Sequence, residues 1–281
     1  MKFPIKLNRL YWGKVLTHIF PSSVDPRVLC SGKIDAVSFT SAVSVLKFGT
    51  TLKTTNKKRF TQTIQELANL KFQGLPVVLD VGASDGSASI DVIRNIEFNK
   101  YYLTDLNIEI FYNISGGATY FYDEKGVNIL MVSDKWVVYF DADGAIFPFN
   151  KILNLIKRRI PKLVGGNKKI VLINPELQAL VSSKVAICKY NMFEAWNHEK
   201  VDLIVAGNIL NQCYFSDFEI LNVLKNLISA LKENGRIVIV DNRPHEKSSI
   251  FKFVKGVVKL EKRINGGTDI ESLVLNNDTW E

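Results

Sequence analysis

The chain has 281 residues, 47% of them apolar, a formal net charge of +8 and an isoelectric point near 9.2. That length allows one large domain or two small ones around a sizeable core, and the basic balance permits an anionic partner without requiring one, because the excess is dispersed lysine. Cys30, Cys188 and Cys213 stand far apart, which argues against a disulfide framework or a zinc site.

The first residues, Met1-Lys2-Phe3-Pro4-Ile5-Lys6, lack an apolar core followed by a small-residue cleavage site, and no apolar stretch reaches membrane-spanning length. A soluble protein of the reducing cytoplasm, without a transmembrane segment, is expected. Residues 1–70 read as an N-terminal helical cap outside the sheet. A turn-rich start around Pro21 and Pro26 leads to helices over 37–48 and 59–70, the second with Phe60, Ile64, Leu67 and Leu70 at helical spacing. The basic stretch 49–58 between them reads as a solvated loop, or as a segment that folds over the cofactor mouth or meets an anionic substrate.

The stretch Pro76-Val77-Val78-Leu79-Asp80-Val81-Gly82-Ala83-Ser84-Asp85-Gly86-Ser87 passes from an apolar strand into small residues, after which Ile90, Ile93 and Ile96 recur near helical spacing. A strand, a tight glycine turn and a helix are expected. Gly82 and Gly86 tolerate positive φ, so the turn lets backbone N–H groups approach a ligand. Asp80 sits at the carboxyl end of the strand, where open α/β sheets hold ligands, and its charge would repel a pyrophosphate. The frame also departs from G-x-G-x-x-G at Ser84 and Ser87. Both features disfavour NAD and suit a ligand carrying an ammonium and a sulfonium. Capping of the following helix falls more naturally to Asp85.

Leu79-Asp80-Val81-Gly82-Ala83-Ser84-Asp85-Gly86 resembles the first motif of class I S-adenosylmethionine-dependent methyltransferases, with Ser84 replacing the middle glycine of many members. The resemblance runs over about Lys71 to Asn242. It implies that Asp80, Gly82, Ala83, Ser84 and Gly86 contact the methionine end of S-adenosyl-L-methionine.

Downstream, Tyr101-Tyr102-Leu103-Thr104-Asp105 is a short strand ending in a carboxylate about one βαβ unit beyond Asp80, a spacing that suits a ribose clamp by Asp105; Asp105 opening a turn is the plainer reading. Residues 108–168 read as an insertion. Tyr120-Phe121-Tyr122, Ile129-Leu130-Met131-Val132 and Trp136-Val137-Val138-Tyr139-Phe140 are antiparallel hairpin strands, and a basic helix follows over 149–160. Asp141-Ala142-Asp143-Gly144 lacks the remaining ligand positions of a calcium loop, so no metal is expected. Ile170-Val171-Leu172-Ile173-Asn174 competes for the second-strand position, and if it held that place Asn174 would take the ribose.

Val185 to Glu194 resembles the family segment that meets the adenine, with Asn191 offering donor and acceptor and Met192 flanking the ring, or lying in the core. Val201 to Gly207 resembles the fourth strand, which brings Gly207 and Asn208 toward the methyl group. It lacks N-P-P-Y, which lowers the odds for exocyclic amines of adenine or glutamine amides. A helix over 218–231 and a fifth strand over 236–241 follow. The polar cluster 241–247 at the pocket edge reads equally as a substrate-orienting group, with His245 or Glu246 as proton acceptor, or as a surface turn. Two strands around Gly266-Gly267 close the chain.

The expected fold is α/β: a three-layer Rossmann-like sheet over 71–281, mostly parallel with an antiparallel last strand, plus the helical cap and the hairpin insertion. The expected activity is methyl transfer to a small-molecule, lipid or glycan acceptor. An RNA methyltransferase using the basic surface, or a non-catalytic cofactor-binding protein, are the alternatives; nucleic acid is not favoured, because no recognisable nucleic-acid module accompanies the fold.

Overall fold

The structure, a computed structural model, describes residues 5–6, 24–48, 51–53, 57–133, 136–138, 161, 168–276 and 280. In chain order the strands are β1 (Ile5–Lys6), β2 (Lys47–Phe48), β3 (Thr51–Leu52), β4 (Val77–Val81), β5 (Lys100–Asp105), β6 (Glu109–Ser115), β7 (Ala118–Tyr122), β8 (Asn128–Ser133), β9 (Trp136–Val138), β10 (Lys168–Val171), β11 (Val185–Lys189), β12 (Val201–Gly207), β13 (Leu231–Asn242), β14 (Glu246–Val254) and β15 (Val257–Ile264). The helices are α1 (Ala36–Val43), α2 (Thr61–Asn69), α3 (Ser87–Asn95), α4 (Pro175–Gln178), α5 (Asp217–Ser229) and α6 (Glu271–Leu275). Among the described residues no helix is long and apolar enough to cross a membrane. The expected acidic turn at 141–144 and basic helix over 149–160 lie outside the described residues.

The chain divides into two compact units, residues 1–54 with 107–175 and residues 55–106 with 176–281. The expected boundaries therefore shift. The start of the chain and the inserted hairpins make one unit together, and α2, expected in the cap, belongs to the other.

The first unit holds a six-stranded sheet in the order β1-β9-β8-β7-β6-β10. The hairpins are present as the alternation implied, joined by a further strand, β6, that turns into β7 at Gly116 (φ 57) and Gly117 (φ 76), the two positive φ values a tight hairpin needs. α1 is capped by Asp35, whose Oδ1 accepts from the N–H groups of Val37 and Ser38 at 3.0 and 2.9 Å. Its Phe39, Ala42 and Val43 share one apolar core with Ile110, Phe121 and Leu130 of the sheet. The helix stops at Val43, well short of 48, because Lys47–Phe48 pairs with Thr51–Leu52. β10 pairs antiparallel with β6, so the Ile170 run belongs to this sheet and not to the parallel one. Asn174 donates from Nδ2 to Ala36 O and Thr40 Oγ1 at 3.2 and 2.9 Å, which ties it to α1 and removes it as the ribose ligand.

The second unit is a Rossmann-like α/β domain. Its seven-stranded sheet runs β11-β5-β4-β12-β13-β14-β15, which in the unit's own order is 3-2-1-4-5-6-7. The first five strands are parallel, β14 lies antiparallel to β13, and β15 antiparallel to β14. The order reverses between β4 and β12, a topological switch point whose carboxyl-end crevice is where such sheets hold ligands. Helices cover both faces. Leu79 and Val81 share a core with Ile220, Leu224 and Leu227 of α5, while Asp80 turns to the other face, toward Ser89 of α3.

Three connections shape this unit. Between β5 and β11 the whole hairpin sheet intervenes, followed only by the short α4. Between β11 and β12 there is no helix; instead Trp196 packs edge-on to Tyr102 and Tyr190, at 5.3 and 5.1 Å between ring centroids, and its Nε1 donates to Glu199 O at 2.9 Å. α5 begins in a capping box between Ser216 and Glu219 and buries Ile220, Val223, Leu224, Leu227 and Ile228, each stabilising the unit by about 1.5–3 kcal/mol relative to exposure. It ends at Ser229, two residues before the expected stop, since Leu231 already pairs with Val201. The last expected strand is a helix, α6. Glu271 turns back on the chain, its Oε1 accepting from Ser249 Oγ at 2.5 Å and its Oε2 pairing Arg263 at 2.7 Å, and Val274 is buried with α5.

α2 has no cap from its own N-cap residue, Phe60. Glu246, 183 positions from Thr63, supplies one: Oε1 accepts from Thr63 N at 2.6 Å and Thr63 Oγ1 at 2.7 Å, and Oε2 from Gln62 N at 3.1 Å. By analogy with N-cap losses, Glu246→Ala should cost about 1–2 kcal/mol in urea denaturation. Glu246→Gln, which keeps one acceptor, should recover part of that.

Candidate functional site

The expected strand, turn and helix are β4, residues 82–86 and α3. The turn uses positive φ at Gly82 (67), Ser84 (62) and Gly86 (80). A Cβ at Gly82 would stand 2.9 Å from Ile209 Cγ1, and one at Gly86 would overlap Leu177 of α4, so both positions need glycine for space as well as conformation. The turn is stitched to the end of β5: Ala83 N donates to Thr104 O at 2.9 Å, Ser84 N to Asp105 Oδ2 at 2.8 Å, and Thr104 Oγ1 to Asp80 O at 2.8 Å. The N–H groups of Ala83 and Ser84, expected to face a ligand, are thus paired within the protein. Asp85, fully buried, accepts from Ser87 N at 2.9 Å and takes the helix-start role.

Asp80 does not present its carboxylate to the crevice. It is 5% exposed, accepts from Tyr101 OH at 2.7 Å and bonds Ser89 on the α3 face. Burial pushes its pKa up to about 6, against the pull of those two bonds, and the charge of Asp105 adds to the rise. The Tyr101 phenol beside it is pushed well above its ordinary value, first by burial and then by the charge of Asp80. An apolar strand buried on both faces gives no alternation from which this direction could be read.

Across the switch point, β12 ends at Gly207, and Asn208 follows it. A Cβ on Gly207 would meet the ring of Phe60 at 2.7 Å. Asn208 (φ 57) accepts at Oδ1 from Asn242 N at 2.7 Å, while its Nδ2 is buried and makes no hydrogen bond. A buried amide donor without a partner is costly unless a ligand or water takes it. Asp105, 9% exposed, stands on the other side of the turn at the end of β5.

The remaining expected residues lie differently. Asn191 closes its own turn, donating to Glu194 Oε1 at 2.8 Å and accepting from Phe193 N at 3.2 Å. Met192 is buried in the α5 core, its ordinary-core alternative. Glu246 has its oxygens filled by three donors of α2, which removes it as proton acceptor. His245 is exposed in the β13–β14 connection. Arg59 and Tyr214, which no motif marks, gather with Asn242 and Arg243 of the polar cluster 241–247 at the ends of β12 and β13. A separate open pocket of about 260 Å³, lined by Leu67, Pro76, Asn95, Ile96, Glu97 and Leu203 among others, lies at the amino end of β4, away from the crevice.

No protein-family model matches the sequence, and no curated protein matches it. Solved structures that resemble it include an O-methyltransferase family protein from Burkholderia thailandensis (12% identity, 73% of this chain and 40% of that one, TM-score 0.35). Another is the N-methyltransferase NodS from Bradyrhizobium japonicum in complex with S-adenosyl-L-homocysteine (11%, 66% and 62%, TM-score 0.33). A third is the mitomycin 7-O-methyltransferase MmcR (12%, 64% and 35%, TM-score 0.34). The chain spans less than two thirds of the length of each. All three are methyltransferases by name; likenesses this distant carry neither activity nor substrate, and the fold rests on the strand order above.

Proposed function

We propose that the chain is an S-adenosylmethionine-dependent methyltransferase acting on a small-molecule, lipid or glycan acceptor. The observation that carries this reading is the sheet: parallel strands in the order 3-2-1-4-5 continued by an antiparallel one, with a glycine turn after the first strand and a carboxylate ending the second. A dinucleotide fold continues with a sixth parallel strand, and its turn carries the glycines that Ser84 and Ser87 replace here.

The residues at the crevice suit the cofactor. Gly82 leaves no room for a side chain beside Ile209, Asp105 supplies acceptors for ribose hydroxyls, and the unbonded Nδ2 of Asn208 supplies a donor. Gly82, Ser84, Asp105, Gly207 and Asn208 would hold it; Ala83, Gly86 and Asp80 act behind them by fixing the turn, and Asn191 and Met192 shape the edge after β11. When bound, the cofactor supplies an electrophilic methyl group on a sulfonium. The protein's part is to bring the acceptor nucleophile into line and exclude water, with His245 taking the acceptor's proton where one is lost.

Calorimetric titration should show binding of S-adenosylmethionine and S-adenosylhomocysteine and none of NAD; the reverse result sinks the reading. Asn208→Asp keeps the acceptor for Asn242 and loses the donor. It should weaken S-adenosylhomocysteine binding while leaving the urea midpoint in place. Asp105→Ala should weaken it by on the order of 2–4 kcal/mol, the value of one or two charge-assisted bonds.

Asp80 yields a pH test. Its folded pKa of about 6 lies above the ordinary 3.8, so between those values the native state holds a proton the unfolded chain has released. Its contribution to stability is full below about pH 4, falls as pH rises toward 6 and is flat above, a change on the order of 2–3 kcal/mol. The stability difference between wild type and Asp80→Asn, followed by urea denaturation from pH 4 to 7, should trace that fall. A difference independent of pH contradicts it.

A further inference from the structure

The segments that leave β11, β12 and β13 carry a row of rings that the cofactor site does not use. Phe193, in the crossover after β11, packs edge-on to Phe215, at 5.5 Å between ring centroids, and Tyr214 lies edge-on to Phe215 at 6.4 Å. Arg243, just beyond β13, closes the row. Its guanidinium carbon stands 5.0 Å from the Tyr214 centroid, and its Nε donates to Asp241 Oδ1 at 3.3 Å.

The loop after β12 fastens this row to the crevice. Tyr214 N and Phe215 N both donate to Asn211 O, at 3.1 and 3.2 Å, and Cys213 N donates to Asn211 Oδ1 at 3.0 Å. Asn211 Nδ2 in turn donates to Asn208 O at 3.4 Å. Asn208, assigned to the cofactor, and the rings therefore belong to one hydrogen-bonded turn. An acceptor whose nucleophile must stand in line with the methyl group has these rings for a wall.

Phe215 packs against the core, but Phe193 and Tyr214 stay 41% and 37% exposed, and Phe218, the second residue of α5, 73%. Rings left in water beside a site mark a surface that an apolar group covers. The charges around them narrow the choice of group. Glu194 follows Phe193, and Asp217 and Glu219 flank Phe218, so carboxylates border the rings and repel a phosphate-rich surface, bilayer or RNA. A neutral planar ring meets no such repulsion. Against aromatic partners it also gains a ring-to-ring attraction that a saturated ring of the same size lacks.

Resting on the methyltransferase reading above, we propose that the methyl acceptor is a small molecule with an uncharged aromatic ring, and that Phe193 and Tyr214 bind this ring beside Asn208. Arg243, lying over Tyr214, holds the phenol ring in orientation. The acceptor is gripped by its ring, and the hydroxyl or amine that the ring carries is turned toward the crevice.

The test is a titration of the full chain, followed by ligand-observed NMR, with phenol and with its saturated counterpart cyclohexanol, each with and without S-adenosylhomocysteine. Phenol is expected to bind saturably and about threefold or more tighter than cyclohexanol. Phe193→Leu and Tyr214→Leu keep apolar area and lose the ring, so each should remove most of that preference. The urea midpoint should hold in both, because these side chains are exposed. Equal affinity for the two alcohols, or a preference unchanged in both variants, overturns the proposal; with S-adenosylhomocysteine still bound, the methyltransferase reading stands. Phenol binding without any uptake of S-adenosylhomocysteine removes the methyltransferase reading, and the acceptor assignment with it. Sedimentation with phosphatidylglycerol vesicles that is lost in both variants assigns the rings to a membrane surface and overturns the proposal.

Discussion

The hydrogen bonds that fasten the loop after β4 to the end of β5 govern the candidate site. Ala83, Ser84 and the Thr104 hydroxyl each complete a bond there, one of them to the Asp105 carboxylate, and Tyr101 closes the set on Asp80 from behind. Each such bond is worth only about 1 kcal/mol net, but leaving any of these buried groups unpaired would cost more. The turn is therefore held in one shape before any ligand arrives. That rigidity has a chemical consequence. With these N–H groups already used, the polar groups that flank the turn are side chains, the Asp105 carboxylate on one side and the Asn208 amide on the other.

The sheet makes this arrangement possible. Because the strand order reverses between β4 and β12, the loops leaving those strands diverge to opposite faces and leave space between their ends. β13 lies beside β12, and its last residue, Asn242, holds Asn208 in register while tying in the residue that precedes Phe60 and α2. Glu246, at the start of the antiparallel β14, then caps the same helix. One helix start is thus anchored by two consecutive strands, which explains why the polar cluster at 241–247 serves the architecture in part.

Much of the second unit was legible because its signals are local. Apolar strands, the glycine turn, the α5 periodicity and the carboxylate after β5 all lie within short windows of sequence. What could not be read was non-local or two-sided. Val77, Val78, Leu79 and Val81 are apolar on both faces of a buried parallel strand, so nothing in the pattern told which way Asp80 points. The tie between Glu246 and Thr63 spans 183 positions, and the tie between Asn174 and Thr40 spans 134. The Ile170 run reads equally well as a strand of either sheet, and only its pairing with β6 decides. The Gly116-Gly117 dipeptide was a hairpin signal in its own right and marks β6 once given weight. The aromatic crossover through Trp196 replaces a helix with ring packing that no periodicity announces.

The interleaving of the two units bears on how the chain reaches this state. The described residues of 1–54 share a compact unit with those of 107–175, and β4 and β5 wait for β11 to β15 before their sheet is whole. During synthesis the apolar side of α1 therefore emerges well ahead of the hairpins that cover it, and neither unit can finish independently in order of emergence. Long sequence separation between partners slows folding and prolongs exposure of sticky intermediates. A chain built this way should depend more on chaperone protection while it is being made than a contiguous pair of domains of equal size.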